Sequence, residues 1–212
     1  MRVIVTRPEG QAGELADRLR ALGHEVVLCP LVRIEPLGDG PVDVSSYDWV
    51  IVTSANGARE LARRLQGRPR RLAAIGPATA AALADHGLVA DLVPRVSTQE
   101  GLLAELQQPA GKVLVAAAEG ARRLLVDELG ADFVPLYRTV ELRPPVSPSG
   151  DLVVLTSGSA ARAFAALGLD LPAVSIGPQT TAAAEAAGVR VVAEAADHDL
   201  DGLVNTIARL GP

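Results

Sequence analysis

The strongest constraint on this fold is an internal duplication. TSANGAREL at 53–61 is answered by TSGSAARAF at 156–164, and IGPATAAALADHG at 75–87 by IGPQTTAAAEAAG at 176–188. Gly76 and Gly177, Leu88 and Val189, and Gly101 and Gly202 are each 101 positions apart. Toward the N-terminus the spacing widens, as at Pro30 with Pro135 and Val3 with Val113, which small loop changes would produce. A repeat this long is not a solenoid. It predicts two similar α/β lobes, each with four strand–helix units in the same order, and two such lobes commonly hold a ligand between them.

The strands are short β-branched runs, predicted at Val3–Val5, Val26–Cys29, Trp49–Thr53, Leu72–Ile75, Leu88–Val93, Val113–Ala116, Phe133–Leu136, Val153–Thr156, Val174–Ile176 and Val189–Val192. Between them helical patterns are predicted at Gly13–Leu22, Gly57–Leu65, Pro77–Asp85, Thr98–Leu106, Ala121–Leu129, Ala160–Leu167, Pro178–Ala186 and Leu200–Leu210. Strand–helix alternation implies parallel sheets flanked by helices. Strands as apolar as VVLT fit burial on both faces. Thr53–Ser54 and Thr156–Ser157 place cap hydroxyls before helices, and Pro77 and Pro178 fall in first helical turns.

Two Pro- and Gly-rich segments, Arg33–Pro41 and Arg138–Gly150, follow equivalent strands of the two halves and read as crossings between lobes. They divide the chain into a discontinuous lobe, 1–35 plus 144–212, and a continuous one, 40–138. The lobes thereby exchange their first units.

The net charge of −5 argues against nucleic acid as a partner. Arg59, Arg63, Arg64, Arg68, Arg70 and Arg71 read as a solvated helix face and loop. No apolar run reaches the roughly 18 residues of a membrane-spanning helix, and MRVIVTRPEG lacks the long apolar stretch expected of a signal peptide. The single cysteine, Cys29, forms no internal disulfide and sits in the apolar run VLCPL as core, so a cytoplasmic protein is expected. His24, His86 and His198 are isolated and make no metal-ligating set. Neither the dinucleotide-binding glycine pattern nor a phosphate-binding P-loop occurs. Neither a metal nor a cofactor is expected.

The chemistry-bearing candidates are the duplicated turns. Two T-S-x-x-x-A turns and two I-G-P-x-T turns each follow a strand and open a helix. Ligands of open α/β sheets bind beyond the carboxyl ends of strands, and free N–H groups there favour anions. Tyr47 opens a strand as a half-buried aromatic. Tyr137 is different: its repeat partner is Val32, so the scaffold requires no hydroxyl at that position. A phenol is a proton donor at neutral pH.

VTRP, YDWVIVTSANGA, the IGPATAAAL and IGPQTTAAA pair, PLYRT and VVLTSGSAARAF together resemble the uroporphyrinogen-III synthases in type and order across essentially the whole chain. The resemblance implies two flavodoxin-like lobes joined by a two-stranded connection, the first discontinuous. It implies a cofactor-free lyase that cyclises hydroxymethylbilane, a linear tetrapyrrole with eight carboxylates, to uroporphyrinogen III with inversion of ring D. Tyr137 matches the family's proton donor. Thr53, Ser54, Asn56, Thr79, Ser157, Gly158, Ser159 and Thr180 match its binding turns, and Arg7 in VTRP is placed for a carboxylate. The family often shows Arg-Gly-x-Gly-Gly-Arg after the strand at 113–116. Here the segment is AAAEGARR, with Ala117 where the first Arg would stand, while Gly120 and Arg122 remain and Arg122 is a further carboxylate candidate. A monomer is expected. The other reading of the same features is a non-catalytic two-lobed module that binds a polycarboxylate.

Overall fold

Burial on both faces decides how these strands assemble. The computed structural model describes residues 1–211. Its first elements are β1 (Arg2–Val5), α1 (Gly13–Ala21), β2 (Glu25–Leu28), β3 (Val32–Pro36), β4 (Val42–Asp43), β5 (Trp49–Val52) and α2 (Ala55–Arg64). Next come β6 (Leu65–Gln66), β7 (Arg71–Ala74), α3 (Pro77–Ala84), α4 (Gln99–Glu105), β8 (Val113–Ala118), α5 (Leu124–Leu129) and β9 (Asp132–Glu141). The chain closes with β10 (Leu152–Leu155), α6 (Gly158–Ala165), β11 (Ala173–Ser175), α7 (Pro178–Ala186), β12 (Val191–Glu194) and α8 (Leu200–Arg209). The architecture is mixed α/β with parallel sheets and helices.

The chain divides into two compact units, Met1–Arg33 with Thr139–Pro212, and Ile34–Arg138. The first contains a five-stranded sheet in the order β12-β11-β10-β1-β2, every pairing parallel. The second sheet runs β3-β9-β8-β5-β7, with parallel pairing from β9 to β7. Beyond β7, Leu92 makes an isolated parallel bridge to Ala73. Aligned by the duplication, the two orders coincide. β5, β7 and Leu92 correspond to β10, β11 and β12, and β8 and β9 to β1 and β2. The units differ in where the chain enters the pattern.

Period-two alternation sends adjacent residues of each strand to opposite faces. In the second unit Val50, Val52, Leu72, Ala74, Leu114 and Ala116 pack beneath Ala58 and Leu61 of α2 and Ala82 and Leu83 of α3. Ile51, Ala73, Val113 and Val115 pack on the other face with Leu102 of α4 and Leu125 of α5. In the first unit Val3, Val5, Leu152 and Val154 meet Leu15 and Leu19 of α1 and Leu203 and Ile207 of α8. Ile4, Val153 and Leu155 meet Ala161 and Phe164 of α6 and Ala184 of α7. Each fully buried Leu, Ile or Phe contributes roughly 1.5–3 kcal/mol of transfer free energy, so the two-sided covering supplies most of the drive to fold.

Several expectations need correction. Leu88–Val93 is not a strand beyond its single bridge. The Asp91 carboxylate takes the N–H of Leu72 at 2.7 Å, and Asp91 N–H bonds the Leu72 carbonyl at 2.7 Å, so a side chain replaces part of the ladder. Arg33–Pro41 is strand β3 for its first half, because Val32 and Ile34 alternate inward beside β9. β9 runs on to Glu141, into the segment read as linker. α5 starts at Leu124 rather than Ala121, since residues 118–121 form a turn closed by Ala121 N–H to the Ala118 carbonyl. Tyr47 precedes its strand rather than opening it; its hydroxyl donates to Asp132 at 2.8 Å. Cys29 is buried, though just past the end of β2.

Candidate active site

Because β5, β7, β8 and β9 are parallel, their carboxyl ends lie along one edge of the second sheet, and the residues that follow them meet there. β5 runs out at Val52, Thr53 follows half-buried, and Ser54 turns the chain into α2 with extended backbone, φ −166° and ψ 156°. The Ser54 hydroxyl caps the helix by accepting the N–H of Gly57 at 3.0 Å. That oxygen also lies 2.9 Å from the phenol oxygen of Tyr137.

Tyr137 reaches Ser54 from β9, level with Ala118, the last residue of the intervening β8. An irregularity in the ladder makes this possible. Ala117 pairs with Pro135 but Ala118 pairs with Tyr137, so Leu136 is an extra residue on β9. A bulge re-aims the side chains that follow it. Leu136 and Tyr137, neighbours in sequence, both pack in the cluster under α2 and α3. The ring of Tyr137 is 6% exposed. Burial pushes its phenol above the ordinary tyrosine range, and the Ser54 hydroxyl pulls partly back. The phenol is therefore a neutral proton carrier at any physiological pH.

The other predicted site residues fall into two groups. Asn56 sits in the first turn of α2, its amide oxygen accepting from Arg59 at 3.2 Å. Thr79 in α3 and Thr180 in α7 are buried, 3% and 5% exposed, which leaves little hydroxyl surface for a ligand. Their backbone N–H groups bond Gly76 and Gly177, as expected of first-turn residues. In the first unit, Ser157 caps α6 by accepting from Ala160 N–H at 3.2 Å, and Ser159 accepts from Arg162 at 3.3 Å. A Cβ on Gly158 would stand 3.0 Å from the Ala183 methyl, so this glycine also lets α6 approach α7. Arg7 lies half-buried just past β1, on the carboxyl edge of the first sheet.

Arg122 is engaged. Its guanidinium makes a bidentate pair with Glu100, at 2.8 and 2.9 Å. The pair holds the Glu100 carboxyl down to about 2. Gln99, which sequence reasoning passed over, steadies the same loop. It is 8% exposed, donates to the Arg122 carbonyl at 3.1 Å and accepts from Leu125 N–H at 3.4 Å. Neither Glu100 nor Gln99 carries a local motif. The only signal is their place after Thr98, whose hydroxyl caps α4 through Gly101 N–H at 3.0 Å.

The basic cluster is a solvated, internally paired face. Arg63 binds Asp39, Glu60 and the Gly38 carbonyl, Arg64 the Leu37 and Gly40 carbonyls, and Arg70 binds Asp48. Among the described residues no group of three or more His, Cys, Asp or Glu is placed to hold a metal, and no helix is long and apolar enough to cross a membrane.

The sequence model of the family described as "Uroporphyrinogen-III synthase HemD" matches residues 13–205. The chain belongs to the uroporphyrinogen-III synthase family. It is 30% identical to the uroporphyrinogen-III synthase of Synechococcus elongatus, over 97% of this chain and 93% of that protein. A putative uroporphyrinogen-III synthase of Methanocaldococcus jannaschii is 27% identical, with 99% of each chain covered. Among solved structures, a mutant uroporphyrinogen III synthase of Thermus thermophilus superposes with a TM-score of 0.64 at 16% identity, covering 99% of this chain and 98% of that one, which shows a common fold.

Against the Arg-Gly-x-Gly-Gly-Arg turn common in uroporphyrinogen-III synthases, Ala117 is explained by its surroundings. Strand β8 extends to Ala118, and Ala117 is wholly buried among Val113, Val115 and Leu125. A guanidinium at that position would have no solvent and no counter-charge.

Proposed function

We propose that this protein catalyses the dehydrative cyclisation of hydroxymethylbilane to uroporphyrinogen III, with Tyr137 as the proton donor. The observation that carries the reading is the buried phenol at the carboxyl edge of a parallel sheet, bonded to a helix-capping serine. In this reading the Tyr137 proton moves to the terminal hydroxyl of the substrate. The C–O bond then breaks, its electron pair leaves with water, and the N-protonated azafulvene, an azafulvenium cation, remains. The substituted carbon of ring D attacks that carbon, and rearrangement of the spiro intermediate inverts the ring before closure. The proton lost as the last ring regains aromaticity restores the phenol. No electrons are gained or lost overall, so the chemistry requires no redox cofactor.

The remaining work is to hold a flexible polyanion in the conformation that leads to inversion. We assign carboxylate and pyrrole contacts to Arg7, Thr53, Asn56, Arg122, Ser157 and Ser159. The backbones of the turns at Ser54, Thr79, Gly158 and Thr180 complete the set. Helix N-termini suit this role, each favouring an anion by about 0.3–1 kcal/mol at the surface. The net charge of −5 gives no long-range attraction for an octa-anion, so affinity rests on these local donors.

The two compact units correspond in this reading to the family's two flavodoxin-like lobes, 1–35 with 144–212 and 40–138, linked through 33–41 and 138–150. The order 2-1-3-4-5 of the first sheet, counted from β2, supports it. A cytoplasmic monomer acting on a small-molecule substrate fits the same picture.

The test is to supply freshly prepared hydroxymethylbilane, oxidise the products and separate the porphyrin isomers. A fast reaction with isomer III in excess is expected. Isomer I alone, at the uncatalysed rate, refutes the proposal and leaves the non-catalytic binding module.

A further inference from the structure

A serine hydroxyl has one proton and two acceptor sites. At Ser54 one acceptor site is taken by the N–H of Gly57 at 3.0 Å. Its other close partner is the phenol oxygen of Tyr137, 2.9 Å away. If Ser54 donates across that contact, the phenol's own proton is left for a third group. The donated bond also stabilises the phenolate that forms when the proton leaves. The direction agrees with the opposing influences on Tyr137, where burial weakens the acid and Ser54 strengthens it.

The duplication provides an internal comparison. Ser157, the counterpart of Ser54, caps α6 through Ala160 N–H at 3.2 Å. The counterpart of Tyr137 is the buried Val32. The cap is thus complete without a phenol, and the phenol is an addition made in one unit only. The third position of the turn differs as well. It is Ala160 in the first unit but Gly57 in the second, where an added Cβ would lie 3.1 Å from the Ser54 oxygen. Glycine leaves the hydroxyl room to serve both partners.

We infer that Ser54 is a positioning residue for the reaction: it donates to the Tyr137 oxygen, fixes the phenol rotor and directs the Tyr137 proton toward the departing hydroxyl. The inference rests on the acid role proposed above for Tyr137. It replaces a donated hydrogen bond from the Ser54 side chain to substrate, since its one proton is already given to Tyr137.

The experiment uses the full chain carrying Tyr47→Phe, which leaves Tyr137 as its single tyrosine. Difluorotyrosine incorporated in place of tyrosine brings the phenol's ionisation down to pH values at which the protein is folded. Ultraviolet absorbance then follows Tyr137 with Ser54 intact, and in Ser54→Ala, Ser54→Thr and Ser157→Ala. Ser54→Ala is expected to move the phenol's ionisation to higher pH and to lower kcat of the otherwise native enzyme roughly 5- to 10-fold, the effect of one hydrogen bond. Ser54→Thr, which keeps a capping hydroxyl, should restore both. Ser157→Ala loses a comparable cap and should melt earlier by a similar amount, yet leave the Tyr137 titration in place. A titration unmoved by Ser54→Ala, in an enzyme that Tyr137→Phe inactivates, overturns the Ser54 assignment alone. A moved titration with unchanged kcat overturns it too. Full turnover by Tyr137→Phe overturns the acid role and this inference together.

Discussion

Tyr137→Phe separates chemistry from folding with unusual clarity, because the structure limits what the substitution can cost. The ring stays in place under α2 and α3, so no cavity opens. The hydroxyl is lost, but the Ser54 oxygen keeps the Gly57 N–H. What disappears is one hydrogen bond of a neutral group, a net loss of about 0.5–1.5 kcal/mol. Against a typical stability of roughly 5–15 kcal/mol, the variant remains almost wholly folded. A positioned general acid contributes about 10²–10⁴ in rate, or roughly 3–5 kcal/mol of barrier. The catalytic effect therefore exceeds the structural one several-fold. Initial rates with fresh hydroxymethylbilane, the isomer ratio and a urea midpoint should be measured on one preparation. Tyr47→Phe serves as a matched control, since its hydroxyl bonds the Asp132 carboxylate. The expected outcome is a rate lower by two to four orders of magnitude, a urea midpoint close to that of Tyr47→Phe, and isomer I from spontaneous closure. Parental turnover with isomer III still dominant would refute the assignment of the proton donor.

The pH dependence follows from the same burial. With the phenol pushed above its usual value, the acid stays protonated through the neutral and mildly alkaline range, so kcat should fall only as pH rises beyond the ordinary tyrosine pKa of about 10. Glu100→Gln removes the carboxylate paired with Arg122. If Arg122 binds substrate it must first leave Glu100, so KM should drop, and only modestly, because solvent screens so exposed a pair. An unchanged KM would remove Arg122 from the binding set. Gly202→Ala would place a Cβ 1.9 Å from the Asp197 carbonyl oxygen; denaturant unfolding should show a loss of about 1–3 kcal/mol from the forced backbone shift. His24 is buried, its Nδ1 lacks a partner and desolvation lowers its pKa. A lowered folded-state value means stability is present above the unfolded pKa of about 6.5 and is lost as pH falls below it. His24→Leu should flatten that acid limb in thermal melts at graded pH.

Much of this was legible in the sequence because it is written twice and in local chemistry. Helix α7 begins at Pro178 and ends at Ala186, the predicted bounds, since a proline opens it and Gly188, at φ 82°, follows its end. The central strands of both sheets stood out because burial on two faces demands unbroken apolar runs, whereas β3, only half-buried, did not. What escaped depended on partners distant in the chain. Leu88–Val93 has the composition of a strand, yet Val89 is 79% exposed and the Asp91 carboxylate has taken over an N–H of β7. Propensity cannot see such a substitution. The Glu100–Arg122 pair joins residues that no motif connects. The bulge after Pro135 inserts Leu136 opposite nothing, and without it Tyr137 would face away from the cluster it occupies.

The Ser54–Tyr137 pair bears on how a duplicated scaffold acquires chemistry. Both units cap a helix with serine after a parallel strand, so the cap belongs to folding and predates any difference between them. In the second unit two departures from the first coincide at one point: Tyr137 for Val32 and Gly57 for Ala160. Each is weak alone. Gly57 in a helix costs about 1 kcal/mol relative to alanine, and a buried hydroxyl carries a desolvation penalty unless it finds a partner. A unit selected for stability alone would have kept alanine, as the first unit did. Gly57→Ala should therefore gain up to about 1 kcal/mol of helix stability, while its Cβ, 3.1 Å from the Ser54 oxygen, disturbs the contact with Tyr137 and lowers turnover. Parental turnover in that variant would mean that the glycine has no part in the Ser54–Tyr137 contact, and that the first unit is a poor guide to what the second could have been.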